Sequence, residues 1–212
     1  MINQSPILIT GCPRSGTTIV ARAVHVAGAF MGESSKRGML ENDEIKTKVV
    51  KPFFNLIGQD CRGQFVKLET PNPIQNDWQT RIERILTTQK YTPNDVWMYK
   101  GLSCLIWPVW KLNFPEAKWI IVRRRTGDII QSCMKTAYMT AHNDEKGWRD
   151  WVHLYEAKFI EMIEAGLNCK VIWPERILDK DYQQLYETIE WTGLKWNNSI
   201  IPTIDKLLHR KE

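Results

Sequence analysis

Near its start the chain carries a continuous apolar run, Ile7, Leu8 and Ile9 followed by Thr10, that stops at Gly11 and resumes after Gly16 with a different period. β-favouring residues without alternation predict a strand buried on both faces of a parallel sheet. From Thr17 onward Val20, Ala21, Val24 and Ala27 recur at helical spacing, and Gly28 closes the helix. The same patterns predict buried strands at residues 96–100, 118–122 and 171–173, and a short strand at 64–68 inside an otherwise polar loop. Helices are predicted at 41–56, broken or kinked by Pro52; at 77–89, capped by Asp77; at 103–112, interrupted by Pro108; from Thr126; at 148–165, ended by Gly166; and at 181–192. Strands alternating with helices define an α/β chain, expected as one domain over residues 1–212. The architecture is a three-layer α/β/α arrangement around a central, mainly parallel sheet.

Length changes this picture little: 212 residues suit one domain with a substantial core. No apolar run reaches membrane-spanning length, and the first residues lack the basic start and apolar stretch of a signal peptide, so no membrane span and a cytoplasmic location are expected. Cys12, Cys61, Cys104, Cys133 and Cys169 are odd in number and scattered, with no paired spacing and no histidine at ligand distance, which predicts reduced thiols and no metal site. The formal net charge is +5. Its basic residues are dispersed apart from Arg123, Arg124 and Arg125, and no nucleic-acid module is present, so an anionic small ligand is favoured over nucleic acid. Most tryptophans, among them Trp107, Trp110, Trp119 and Trp173, lie in apolar stretches and are expected in the core. There is no internal repeat.

Candidate chemistry begins at the first turn. Gly11 to Thr18 follows the phosphate-loop spacing GxxxxGK[ST], except that Thr17 stands in the lysine position and the cation lies inside the loop as Arg14. Gly16 allows close approach of backbone to an anion, and the Thr17 and Thr18 hydroxyls lie where the first helical N–H groups are unpaired, giving an anion site at a helix N-terminus. Lys100 ends a predicted parallel strand just before Gly101, at the sheet edge where open α/β sheets bind ligands. Three arginines follow the strand at 118–122; such crowding is tolerated when an anion sits among them or when they splay to water and carboxylates. Ser132 lies eight residues beyond Arg124 and can face back toward that strand end. His25 reads as a surface or packing residue. Glu33 is the candidate general base of the loop after the first helix.

The segment PRSGTT, residues 13–18, resembles the loop with which sulfotransferases bind the 5′-phosphosulfate of 3′-phosphoadenosine 5′-phosphosulfate (PAPS). Arg124 and Ser132, with Asp128 between them, match the family pattern RDPRDVxxS, although Arg125, Thr126 and Gly127 replace its DPR. The stretch YKGLSCLIWPVWKLNFPEAKWIIVRR resembles the bacterial form YKDPRLCLxLPxWxxxFPxAxxIxxxR, and GLKW at 193–196 is similar to a family tail. The resemblance covers nearly the whole chain and is weakest at residues 32–95, where members choose their acceptors. It departs at three further places. Leu102 occupies the position of a histidine base, Ile19 replaces an aromatic that follows the loop, and Trp173, Pro174 and Glu175 replace a YED exit.

The resemblance implies that Arg14, Ser15, Gly16, Thr17 and Thr18 bind the 5′-phosphosulfate and that Arg124 and Ser132 bind the 3′-phosphate. It also implies that Arg14 and Lys100 act on the transferring group, with Glu33 or, alternatively, Glu41 as base. The expected activity is sulfuryl transfer from PAPS to a hydroxyl or amine of a small-molecule, carbohydrate or other acceptor, giving PAP (3′-phosphoadenosine 5′-phosphate) without a metal. The alternatives are a catalytically inactive PAPS- or PAP-binding protein of the same fold and a P-loop kinase. His209, Arg210 and Lys211 are either a solvated basic terminus or a segment that closes over the nucleotide. No feature of the sequence sets the oligomeric state.

Overall fold

In the computed structural model, which describes residues 2–34, 38–67, 69–72 and 76–208, one sheet runs in the order β2-β1-β3-β4 with every pair parallel. Its strands are β1 (Ile7–Gly11), β2 (Met98–Lys100), β3 (Lys118–Val122) and β4 (Cys169–Ile172). The helices are α1 (Thr17–Val26) and α2 (Asp43–Ile45), the latter continuing through a π-helical turn (Lys46–Val50) into α3 (Lys51–Leu56). Then come α4 (Trp78–Thr88), a 3-10 turn (Ser103–Ile106), α5 (Trp107–Asn113), α6 (Thr126–Met134), α7 (Glu145–Glu164), α8 (Pro174–Leu178), α9 (Gln183–Thr192) and α10 (Ile200–Leu208).

Alternation along β1 divides the core. Ile7 and Ile9 pack on one face with Val20 and Val24 of α1, Leu185 and Ile189 of α9, and Ile200 and Ile204 of α10. Leu8 lies on the other face with Phe53, Phe54, Trp78, Trp110 and Trp148 from the helices between α3 and α7. Two apolar faces under helices are the three layers expected. They also explain why β1 reads as an unbroken apolar run. Trp110 stacks on Tyr99 at 5.2 Å between centroids and meets Trp78 edge-on, so the tryptophans at this face are packing residues.

β3 has the predicted bounds, while β4 begins two residues earlier than its apolar pattern suggested because Cys169 and Lys170, at the sheet edge, are only half-buried. Residues 64–67 form no strand, and Leu68 lies outside the described residues. Gln64 is instead buried as a loop anchor: its Nε2 donates to the Tyr138 carbonyl and its Oε1 accepts from the Thr140 and Ala141 N–H groups. Asp77 does not cap α4; the Trp78 N–H is bonded by Asn76 Oδ1. Pro108 opens α5 rather than interrupting a helix, which suits a residue with no N–H to contribute. His209, Arg210 and Lys211 lie outside the described residues.

The order of strands positions the site. From β1 the chain crosses to β2 on one side, and β3 lies on the other, so the connections leaving the C-terminal ends of these strands diverge around the end of β1. That divergence opens a crevice at the place where doubly wound sheets bind ligands.

Candidate functional site

β1 ends against its neighbour so closely that Gly11 has no room for a side chain: a Cβ there would lie 2.6 Å from the Val122 carbonyl oxygen and 2.7 Å from Ser15 Oγ. The chain then turns through Arg14 at φ 73° and Gly16 at φ 94°, with the Ser15 N–H donating to Cys12 O at 3.0 Å. Two left-handed residues two apart fold the backbone into a concave turn at the start of α1. No side chain caps that helix start. Ser15 is fully buried, and its Oγ has no hydrogen-bond partner among the described residues. Free N–H groups and an unpartnered buried hydroxyl at a helix N-terminus are suited to an anion with several acceptor oxygens.

A left-handed conformation at a non-glycine residue costs about 1–2 kcal/mol, and contacts made by Arg14 hold it there. Its Nε donates to Ser132 Oγ at 2.9 Å and its Nη1 to Tyr138 Oη at 3.0 Å. Arg124 Nη1 donates in turn to the Arg14 carbonyl at 3.1 Å and lies 3.8 Å from Asp128 through Nε. The three neighbouring arginines splay apart. Arg123 forms a bidentate pair with Glu156 and covers the Trp173 ring at 4.9 Å; Arg125 is exposed, its N–H bonded to Glu175 Oε1. Of the three, only Arg124 lines the cleft.

Lys100, one strand over, is buried. Its Nζ donates to Met39 O at 2.6 Å and to Thr18 Oγ1 at 3.4 Å, and pairs with Glu41 Oε1 at 3.2 Å. Glu41 is also ion-paired to Lys46. Burial pulls the Lys100 ammonium below its ordinary pKa, against the opposing attraction of Glu41. Burial pushes Glu41 upward, but Lys100 and Lys46 outweigh it and hold the carboxyl below its ordinary value. Each group thus favours the charged form of the other.

Arg14, Ser15, Gly16, Thr17, Thr18, Lys100, Arg124 and Ser132 all line one cleft of about 1180 Å³. Glu33 does not: it is exposed, its N–H bonded to Gln89 Oε1 and its carbonyl to the Asp43 N–H. The carboxylate that reaches Lys100 is Glu41. Leu102 lines the cleft, as does Tyr138, for which no motif gave a signal; only its contact with Arg14 marks it. His25 sits away from the cleft with Nδ1 against Ala29 O. Among the described residues no group of three or more histidines, cysteines or carboxylates is arranged to hold a metal, and no helix is long and apolar enough to cross a membrane.

No family model and no curated protein matches the sequence. The solved structures to which this one is similar include two. One is the sulfotransferase STF1 of Mycobacterium tuberculosis, 11% identical at a TM-score of 0.48, covering 97% of this chain and 71% of that one. The other is a retinol dehydratase in complex with androsterone and the inactive cofactor PAP, 14% identical at 0.49, covering 97% and 64%.

Proposed function

We propose that this protein is a PAPS-dependent sulfotransferase that moves a sulfuryl group to a hydroxyl or amine of an acceptor and leaves PAP. The observation that supports this is the junction of two basic segments distant in sequence. Arg124 bonds the backbone of Arg14 across 110 residues, and Arg14 bonds Ser132 across 118. A single phosphate would need only the turn at α1; a second arginine and serine beside it suit a ligand with two separated phosphates.

In this reading Ser15 Oγ, the N–H groups at the start of α1 and the Thr17 and Thr18 hydroxyls hold the 5′-phosphate, and Arg124 with Ser132 holds the 3′-phosphate. The unpartnered Ser15 hydroxyl and the uncapped helix support that fit. PAPS supplies the electrophilic sulfur. Lys100 neutralises the sulfuryl oxygens, and Arg14 neutralises the bridging oxygen as its bond to sulfur breaks and negative charge collects on the leaving phosphate. Each such preorganised donor is worth about 3 kcal/mol of barrier. Glu41, in place of Glu33, accepts the proton of the acceptor as its oxygen or nitrogen bonds to sulfur. The acceptor is a small molecule, a carbohydrate or another hydroxyl- or amine-bearing compound.

A second reading, a PAP-binding protein of the same fold without chemistry, draws on one observation. Glu41 is held by two lysines that lower its basicity, and Leu102 offers no histidine in its place. The test is calorimetric titration of the wild type and Arg124→Ala with PAP, ATP and AMP, followed by transfer from labelled PAPS. PAP binding that exceeds ATP and AMP and is lost in the variant supports the nucleotide site. The absence of any PAP preference overturns it, and binding without transfer to any acceptor favours the second reading.

A further inference from the structure

Beyond Lys100 the cleft is walled by the π-helical turn and by the loop after α3, and its charges are one-sided. Among the described residues at this end, Lys46, Lys51, Arg62 and Lys100 face a single carboxylate, Glu41. Glu41 is already paired to Lys46 and Lys100. Two neighbouring carboxylates are engaged as well. Glu44 pairs with Lys48, and Asp60 accepts from the N–H groups of Arg62, Gln64 and Phe65. The Lys51 and Arg62 side chains make no ion pair or hydrogen bond among the described residues.

The local backbone builds this crowding. In an α-helix, residues five apart point about 140° away from each other around the axis. In the turn Lys46–Val50 the Lys51 N–H instead reaches back to the Lys46 carbonyl, an i→i+5 bond that brings residues 46 and 51 to one side. Pro52 accounts for the irregularity, since it has no N–H to offer the Lys48 carbonyl. Arg81 of α4 donates to that carbonyl instead. A proline and an arginine from another helix thus hold two lysines on the same wall, where an anion between them would relieve their mutual repulsion. Val50, Phe54 and Leu102 give the same part of the cleft an apolar lining.

We propose that the acceptor is itself an anion. It is a small molecule whose carboxylate, sulfate or phosphate sits among Lys46, Lys51 and Arg62, whose apolar body lies against Phe54 and Leu102, and whose nucleophilic atom reaches Lys100 and Glu41. This rests on the sulfuryl-transfer reading of the adjoining site.

The test uses protein saturated with PAP, titrated calorimetrically with two matched pairs: 4-nitrophenyl β-D-glucuronide against 4-nitrophenyl β-D-glucoside, and N-acetylglucosamine 6-sulfate against N-acetylglucosamine. At least one anion binds about tenfold tighter than its neutral partner at low salt. That preference falls about fivefold or more in about 0.5 M NaCl and in the double variant Lys51→Gln/Arg62→Gln. PAP affinity of the double variant stays within about twofold of wild type, reporting an intact fold and nucleotide end. Anions that bind no tighter than their neutral partners, no binding by any of the four, or a preference undiminished in the double variant would overturn the inference while leaving the nucleotide site standing. A wild type that does not bind PAP overturns both.

Discussion

The Arg124 guanidinium donates from Nη1 to the main-chain oxygen of Arg14 at 3.1 Å, so the residue after β3 fixes the turn after β1. The same turn returns a contact through the Arg14 side chain to Ser132 on α6. The two segments are therefore one mechanical unit, and a change in either is felt by both. Arg124→Lys keeps the charge but cannot serve the Arg14 carbonyl and a phosphate with one fork. PAP affinity is expected to fall about tenfold or more, and severalfold further than ATP affinity, which feels the variant only through the Arg14 turn, measured by calorimetry. Equal losses for both nucleotides would mean that Arg124 does not distinguish a 3′-phosphate.

Arg14 combines a strained backbone with a functional side chain, and three substitutions separate the two. Arg14→Ala keeps the strain and loses the contacts to Ser132 and Tyr138; Arg14→Gly loses the contacts and relieves the strain. The glycine variant is expected to be more stable than the alanine variant by about 1 kcal/mol in urea unfolding. Both are expected to lose about 100-fold or more in turnover with labelled PAPS, and Arg14→Lys to recover part of it.

Glu41 and Lys100 are coupled by burial, and this sets a pH dependence. Glu41 has a lowered folded pKa, so its contribution to stability is complete above its unfolded value and is lost as pH falls through the folded one. Lys100 also has a lowered folded pKa, so the folded state binds its proton more weakly than the unfolded one does, and this handicap fades as pH rises through the folded value toward the unfolded one. Glu41→Gln strands the buried ammonium and is expected to cost about 3 kcal/mol at neutral pH, with less cost in a Lys100→Met background. A cost unchanged by the second substitution would show that the pair is not the origin. For activity, Glu41→Gln is expected to lower turnover more than PAP binding, whereas Glu33→Gln leaves turnover within about twofold of wild type, its carboxylate lying outside the cleft.

The difference between Glu33 and Glu41 shows where legibility from sequence stops. The strand, turn and helix at 7–26 follow from residues within a few positions of one another, and the Arg124 to Ser132 spacing follows from one strand end and two helical turns. Both segments were accordingly legible without tertiary information. The choice of glutamate depends instead on Asn42. Its Nδ2 donates to Met31 O and Gln89 Oε1, its Oδ1 accepts from the Ile45 N–H, and its backbone bridges Ser34. That pin sets Glu41 against Lys100 and leaves Glu33 in solvent, and one of its partners comes from the end of α4, 47 residues away. The π-helical turn is hidden for a similar reason: Pro52 announces a defect, but the carbonyl it frees is satisfied by Arg81, which no local pattern connects to it.

Gly11 and Gly16 bound the same turn but resist substitution for different reasons, and a pair of alanine variants tells them apart. At Gly11 a Cβ would meet the Val122 carbonyl oxygen at 2.6 Å, a backbone atom of the adjacent strand, in a register where Gly11 pairs with Val122. Relief requires prising β1 from β3 at the sheet's centre, so Gly11→Ala is expected to cost about 3 kcal/mol and to lower the midpoint of urea unfolding accordingly. At Gly16 the Cβ would lie 3.0 Å from Cγ of Pro174, a side-chain atom, and the cost comes mainly from φ 94°. Gly16→Ala is therefore expected to lose only about 1–2 kcal/mol of stability. Its effect on ligand is larger in proportion, because Gly16 is the residue from which the N–H groups of α1 are aimed: PAP affinity is expected to fall about 30-fold. A Gly16→Ala variant with wild-type PAP affinity would mean that the start of α1 does not bind the 5′-phosphate, even if Arg124 and Ser132 bind the other one.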